Sequence, residues 1–160
     1  MIASILSKKA AAGSTHCLID IPVGPTAKVR SMDSGVQLAL RLKEVSEFIN
    51  IKTQIIFSDG SQPVGYGIGP ALEARDVLQV LECKKDAPED LYEKSILIAT
   101  ELVRLAWDMP KDSAREIVTD KLKSGEALKK FIAICEAQGG FKEPEKARYT
   151  KTIEACFTGT

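Results

Sequence analysis

The chain has 160 residues, 44% of them hydrophobic and 28% charged, which suits one soluble globular domain with a real core. Its 22 basic and 22 acidic residues cancel, so no broad basic field exists to attract nucleic acid or an anionic membrane. No apolar run is long enough to span a bilayer, and the first lysines follow the apolar residues, the reverse of a secretory leader.

Cys17, Cys83, Cys135 and Cys156 lie far apart with no paired spacing for zinc or redox work, and His16 is the single histidine. A reducing, cytoplasmic setting without a metal centre fits this usage. Met1 to Ala12 has helical spacing, with Gly13 as the C-cap, and Ser4 and Lys8, four apart, share one face. No capping residue precedes this helix, so the chain is expected to be part of something longer.

Cys17-Leu18-Ile19, with Ile21 and Val23, is an apolar run suited to a strand covered on both faces. Pro22, Gly24 and Pro25 then force a tight turn, and Thr26 and Lys28 follow on a loop. The loop after the carboxyl end of a strand is where ligands bind in open α/β sheets, and a hydroxyl with a cation there suits an anion such as phosphate. The spacing is not that of a P-loop, and a surface turn with a solvated lysine accounts for the same residues.

Asp33 to Ile49 is an amphipathic helix with an apolar stripe of Leu38, Leu42, Val45 and Ile49, and Ile51 to Phe57 is a second strand. Strand, helix and strand make a βαβ unit with parallel strands. Asp20, at the strand end, is expected to bond nearby backbone N–H groups. After a turn at Asp59 to Pro63, glycines 65, 67 and 69 break regular structure, and Pro70 opens a helix whose free N–H groups make an anion site possible. Close backbone packing explains those glycines equally well. Three further helices are expected, one ending near Trp107, one capped by Asp112 or Ser113, and one closed by Gly139-Gly140. Tyr149 to Phe157 alternates like a single strand. No large exposed apolar stripe is evident, which disfavours a pure interaction scaffold.

The blocks Ala3 to Gly13, Ile19 to Lys28, Gln62 to Ala74 and Glu136 to Gly140 resemble, in the same order, the thymidine phosphorylase family. Within it the finer likeness is to the branch that contains AMP phosphorylase. The resemblance implies an α/β fold with a mixed, mainly parallel sheet flanked by helices, part of a larger multidomain phosphorylase. Residues 1–13 would be the last helix of a helical domain, 14–141 part of the large α/β domain, and 142–160 a linker and the first strand of a C-terminal domain. It also implies a pentosyltransferase that cleaves an N-glycosidic bond with inorganic phosphate as co-substrate and no cofactor, commonly as a homodimer. A non-catalytic α/β module that binds a phosphorylated small molecule is the alternative.

By the same resemblance Ser4 and Lys8 match a pair that holds the base in thymidine-cleaving members. Ser4 and Lys28 match nucleotide-contacting positions in the AMP-cleaving branch, where Lys28 meets the 5′-phosphate. Many thymidine phosphorylases have a glycine- and serine-rich turn there with no lysine, so Lys28 leans towards a phosphorylated substrate. The family's phosphate-binding stretch and proton donor lie upstream, and this chain contains no catalytic residue. Some members bind potassium through backbone carbonyls of the glycine-rich stretch and a carboxylate in the next helix. Val64, Gly67 and Asp76 fall at comparable places, but Asp76 is expected to be an ordinary surface aspartate and no metal is assigned.

Overall fold

A computed structural model describes residues 2–158; Met1, expected at the start of the first helix, and Gly159 and Thr160, expected in the C-terminal strand segment, lie outside them. The elements run α1 (Ile2–Ala11), β1 (His16–Val23), α2 (Met32–Phe48), β2 (Lys52–Asp59), α3 (Pro70–Leu81), α4 (Glu89–Trp107), α5 (Lys111–Lys123) and α6 (Glu126–Ala137). Strands β1 and β2 pair in parallel, His16 opposite Lys52 through Val23 opposite Asp59. The expected α/β class and the βαβ unit are present. Only the parallel part of the expected mixed sheet occurs among the described residues, as two strands.

Because side chains alternate along a strand, each face of this ribbon has its own helix. Ile19, Ile21, Ile55 and Phe57 pack with Leu6, Leu38, Ala39, Leu42, Val45 and Ile49, which places α2, backed by α1, on one face. Leu6 and Leu42 are each 1% exposed, so each is worth about 1.5–3 kcal/mol of burial. Helix α2 starts where the Ser31 hydroxyl accepts from the Ser34 N–H, an N-cap two residues before the expected start at Asp33. Its predicted stripe is inward. On its other side Met32, Val36 and Leu40 are exposed at four-residue spacing, an apolar stripe that corrects the expectation of none. Composition could not show it, because Leu38 and Leu40 differ only in which way the helix turns them.

The opposite face carries Asp20, Gln54 and Ser58, and α4 covers it. Lys94 Nζ lies 3.0 Å from Asp20 Oδ2 and donates to Ser58 Oγ at 3.2 Å. Further along, Glu101 Oε2 accepts from Gln54 Nε2 and from Arg104, each at 2.7 Å, and Lys52 Nζ donates to the Leu105 carbonyl at 3.2 Å. Lys94 thus meets the carboxyl ends of the strands while Leu105 meets the start of β2, so α4 runs antiparallel to both strands. The expectation that Asp20 bonds backbone N–H groups is corrected: its partner is Lys94, and its Oδ1 is buried without one.

The glycine-rich loop before α3 is tied down by the chain's own carboxylates. Asp76 Oδ2 accepts from the N–H groups of Tyr66 and Gly67, both at 2.7 Å. Asp90 Oδ2 accepts from Gly65 at 2.9 Å, and Glu73 Oε1 from Gly69 at 2.9 Å. Asp76 is only 7% exposed, which corrects its expected place on the surface. A Cβ on Gly65 would sit 2.7 Å from Asp76 Oδ2, and one on Gly67 would sit 2.5 Å from the Leu72 carbonyl carbon. Close packing against backbone therefore requires glycine at 67, while at 65 a left-handed φ of 84° adds to the contact with Asp76. Tyr149 to Phe157, expected as a strand, has no regular structure and is exposed; an extended segment forms a strand only against a partner's ladder.

Two outcomes follow for stability. Glu101→Ala leaves the Gln54 amide and the Arg104 guanidinium without their acceptor. It is expected to lower the unfolding free energy by about 3 kcal/mol, the low end for a broken buried pair because Arg104 is partly exposed, read as a fall in the urea midpoint at unchanged slope. Asp76→Ala strands two N–H donors and is expected to cost about 2–4 kcal/mol, with faster hydrogen exchange at Tyr66 and Gly67. Asp76→Asn, which keeps an acceptor oxygen, should recover part of both losses.

Candidate functional site

Strand β1 ends at Val23, and the chain turns back at once. The Gly24 N–H donates to the Val29 carbonyl at 3.1 Å, the Ala27 N–H donates to the Gly24 carbonyl at 3.1 Å, and Val23 and Val29 form an isolated bridge. Pro25, with its fixed φ, occupies the second position of the turn. Thr26 and Lys28 are thereby carried, exposed, on a closed loop at the carboxyl end of β1.

This loop rests on the turn that follows β2. The Gly60 N–H donates to the Val23 carbonyl at 2.9 Å, and the Ser61 N–H donates to Asp59 Oδ1 at 2.8 Å. The side-chain and backbone hydrogen bonds from Ser61 hold the Asp59 carboxyl below the usual carboxylate range, so the turn is closed on a charged acceptor at neutral pH. A Cβ on Gly24 would lie 2.5 Å from the Gly60 carbonyl carbon and 2.6 Å from the Ser61 nitrogen. Backbone meets backbone there, and only glycine fits.

Beside the loop lies a groove of 380 Å³, walled by Ile5, Ile19, Ile21, Ala27, Lys28 and Leu38 among others. It brings Lys28 next to α1, which contributes Ile5. Ser4 and Lys8 are exposed on α1 and share a helical face, as expected, but neither is on the groove wall. Among the described residues the side chains of Ser4, Lys8 and Lys28 have no hydrogen-bond or ion-pair partner within the chain. His16 sits at the other end of β1, beside Thr15 Oγ1 at 2.9 Å, and cannot serve the loop. A second cavity, of 390 Å³, lies among α3, α4, α5 and α6 and is lined by Val77, Leu81, Ile96, Val103 and Trp107. It shares no residue with the groove and is nearly devoid of polar groups.

Most of the donors considered for an anion site at the start of α3 are used within the chain: the N–H groups of Gly65, Tyr66, Gly67 and Gly69 donate to Asp90, Asp76 and Glu73, and those of Leu72 and Glu73 donate to the Gly69 carbonyl. Two N–H groups donate to Asp76 Oδ2, which makes that oxygen a latch for the loop. Sequence reasoning missed Lys94, Asp90 and Gly60 as partners of these loops, because each acts on residues far away in the chain.

No family model matches the chain. Among known proteins it is 50% identical over 159 residues to one named "Putative thymidine phosphorylase" from Legionella pneumophila subsp. pneumophila strain Philadelphia 1. It is 49% identical over the same length to "Putative thymidine phosphorylase 1" of Acidovorax sp. strain JS42 and to "Putative thymidine phosphorylase" of Tolumonas auensis. Each match takes in 99% of this chain and 31–32% of the relative, so the chain spans about a third of the length of the curated relatives it matches. The alignment thus runs through nearly the whole chain, beyond the four sequence blocks: the chain is a homologue of part of proteins named "Putative thymidine phosphorylase".

Proposed function

We propose that this chain supplies the substrate-holding side of a phosphorylase that cleaves an N-glycosidic bond with inorganic phosphate. The observation that carries the reading is Lys28: an exposed cation without an internal partner among the described residues, on a loop held by two backbone hydrogen bonds at the carboxyl end of a parallel strand. The names of the relatives support the reaction class. In phosphorolysis a phosphate oxygen attacks the anomeric carbon, the C–N bond breaks, and the base leaves with the electron pair and takes up a proton. The protein's part is to hold both reactants in line and to stabilise charge on the departing base.

Ser4 and Lys8, on one face of α1, are the residues proposed to hold the base, and Lys28 to meet a 5′-phosphate. The substrate is then a nucleoside monophosphate such as AMP, giving adenine and ribose 1,5-bisphosphate, with a nucleoside such as thymidine as the competing candidate. The proton donor belongs to another part of the polypeptide, and no cofactor is required. A homodimer in the cytoplasm completes the proposal; all four cysteines are free, and no helix among the described residues is long and apolar enough to cross a membrane. The span of about a third of the relatives favours a second reading of the segment by itself, as a module that binds a phosphorylated small molecule without chemistry.

The test is phosphate-dependent base release by the full-length protein, with AMP and thymidine offered side by side. Lys28→Ala is expected to lower kcat/KM for AMP about 10- to 100-fold, the worth of one hydrogen bond to a charged group, and to leave thymidine cleavage within about threefold. Equal AMP cleavage by mutant and parent would remove Lys28 from the site. The 160-residue chain alone is expected to release no base from either compound.

A further inference from the structure

The loop that bears Lys28 is closed by only two backbone hydrogen bonds of its own. Its further contacts come from the turn after β2. Gly60 donates its N–H to the Val23 carbonyl at 2.9 Å, at the root of the loop. A Cβ built on Gly60 would lie 3.0 Å from the Ala27 Cβ and 3.1 Å from both the carbonyl carbon and the Cβ of Pro22. Gly60 therefore sits wedged between the last part of β1 and the residue directly before Lys28.

We infer that Gly60 is a positioning residue for Lys28: its missing side chain sets the seat of the loop and hence where the ammonium group stands. A methyl group at this position needs a few tenths of an ångström from one of its neighbours. Pro22 lies within the parallel ladder opposite Ser58, and the ladder resists its movement. Ala27 lies in the loop and is held by a single bond to Gly24. The loop yields, and Lys28 moves with Ala27. A misplacement of about 1 Å at a positioned group can cost about 100-fold in rate, so a shift of a few tenths is worth roughly five- to tenfold. Gly60 touches no ligand. Gly24 cannot test the idea, since a side chain there would run into backbone at 2.5 Å and disturb the whole strand end.

The functional consequence rests on the reading of Lys28 as a ligand for a 5′-phosphate, and the experiment separates the two. The full-length protein is made as Gly60→Ala, as Ala27→Gly and as the double variant, in which the closest contact is absent. Hydrogen exchange at Gly24 and Ala27 reports the seat of the loop. Binding of AMP and of adenosine, measured without inorganic phosphate so that no turnover occurs, reports the cation. Gly60→Ala is expected to speed exchange at Ala27 at least tenfold and to weaken AMP roughly five- to tenfold, with adenosine within threefold of the parent. Ala27→Gly in the double variant should restore much of both, the coupling that two residues in contact show and distant ones do not.

Exchange and AMP affinity within twofold of the parent in Gly60→Ala would overturn the inference. So would losses that the double variant fails to relieve, since the wedge on Ala27 would then be wrong. If the parent binds AMP no better than adenosine, yet exchange quickens in Gly60→Ala and recovers in the double variant, the phosphate reading of Lys28 falls and the positioning by Gly60 stands. Should Gly60→Ala alone fail to fold, the double variant's exchange pattern decides: parent-like protection at Ala27 supports the wedge, and lost protection overturns it.

Discussion

The in-register parallel ladder between β1 and β2 is the constraint on which the remaining structure depends. A parallel pair is stable only when both faces are covered, and strict alternation then decides which residue meets which helix. Odd-numbered Ile19, Ile21, Ile55 and Phe57 fill the core with α2. Even-numbered Asp20, Gln54 and Ser58 face α4, and every one of them has a polar partner there. A slip of one residue would put the carboxylate of Asp20 against Leu42 and two isoleucines against Lys94 and Glu101. Because the ladder also aligns the strand ends, Gly24 and Gly60 arrive at the same level, and the two loops touch through backbone.

Charge is used in two different ways. Six carboxylates bind groups of the chain itself: Asp20 and Glu101 tie α4 to the sheet, Asp76, Asp90 and Glu73 bind the N–H groups of one loop, and Asp59 closes a turn. Asp76 and Glu101, both buried, satisfy donors that would otherwise be stranded, which matters more for stability than any attraction between surface ions. The cations proposed as ligands are left over. Lys8 and Lys28 stand in solvent without an internal partner among the described residues, so a balance of zero for the whole chain conceals a local excess of positive charge near α1 and the first loop.

Much of this was legible in the sequence, and the part that was not has one cause. Leu38, Leu42, Val45 and Ile49 announce α2 by their spacing, and the apolar runs around Ile19 and Ile55 announce two parallel strands, because period and burial are local properties of the chain. Lys28 is legible as an exposed cation after a strand for the same reason. The roles of Asp76, Asp20 and Gly60 are not local. Asp76 is surrounded in sequence by an ordinary helix, and nothing there reveals two N–H groups waiting nine and ten residues upstream. Asp20 and Lys94 meet only after the whole βαβ unit has folded and α4 has crossed back over it. The alternation of Tyr149 to Phe157 misled for the converse reason: a strand pattern states what a segment can pair with, and pairing needs a second strand.

The composition of the groove argues for a division of labour in the proposed reaction. A nucleotide undergoing phosphorolysis carries a base, a sugar, a 5′-phosphate and an incoming phosphate, and each needs polar partners in the transition state. The groove beside the loop is almost wholly apolar, and among the described residues Lys28 is its one cation. Apolar walls suit the faces of a base and a sugar, and one lysine on a loop seated against the next turn suits one phosphate, but no other lining residue neutralises a second. The attacking phosphate approaches the anomeric carbon while the 5′-phosphate stays at the far end of the sugar, so the two anions need separate binding groups. A site that places one phosphate on Lys28 and receives the other from a different part of the polypeptide meets both demands. The seat of the loop, set by backbone contact between Gly24 and Gly60, then matters as much as the charge it carries.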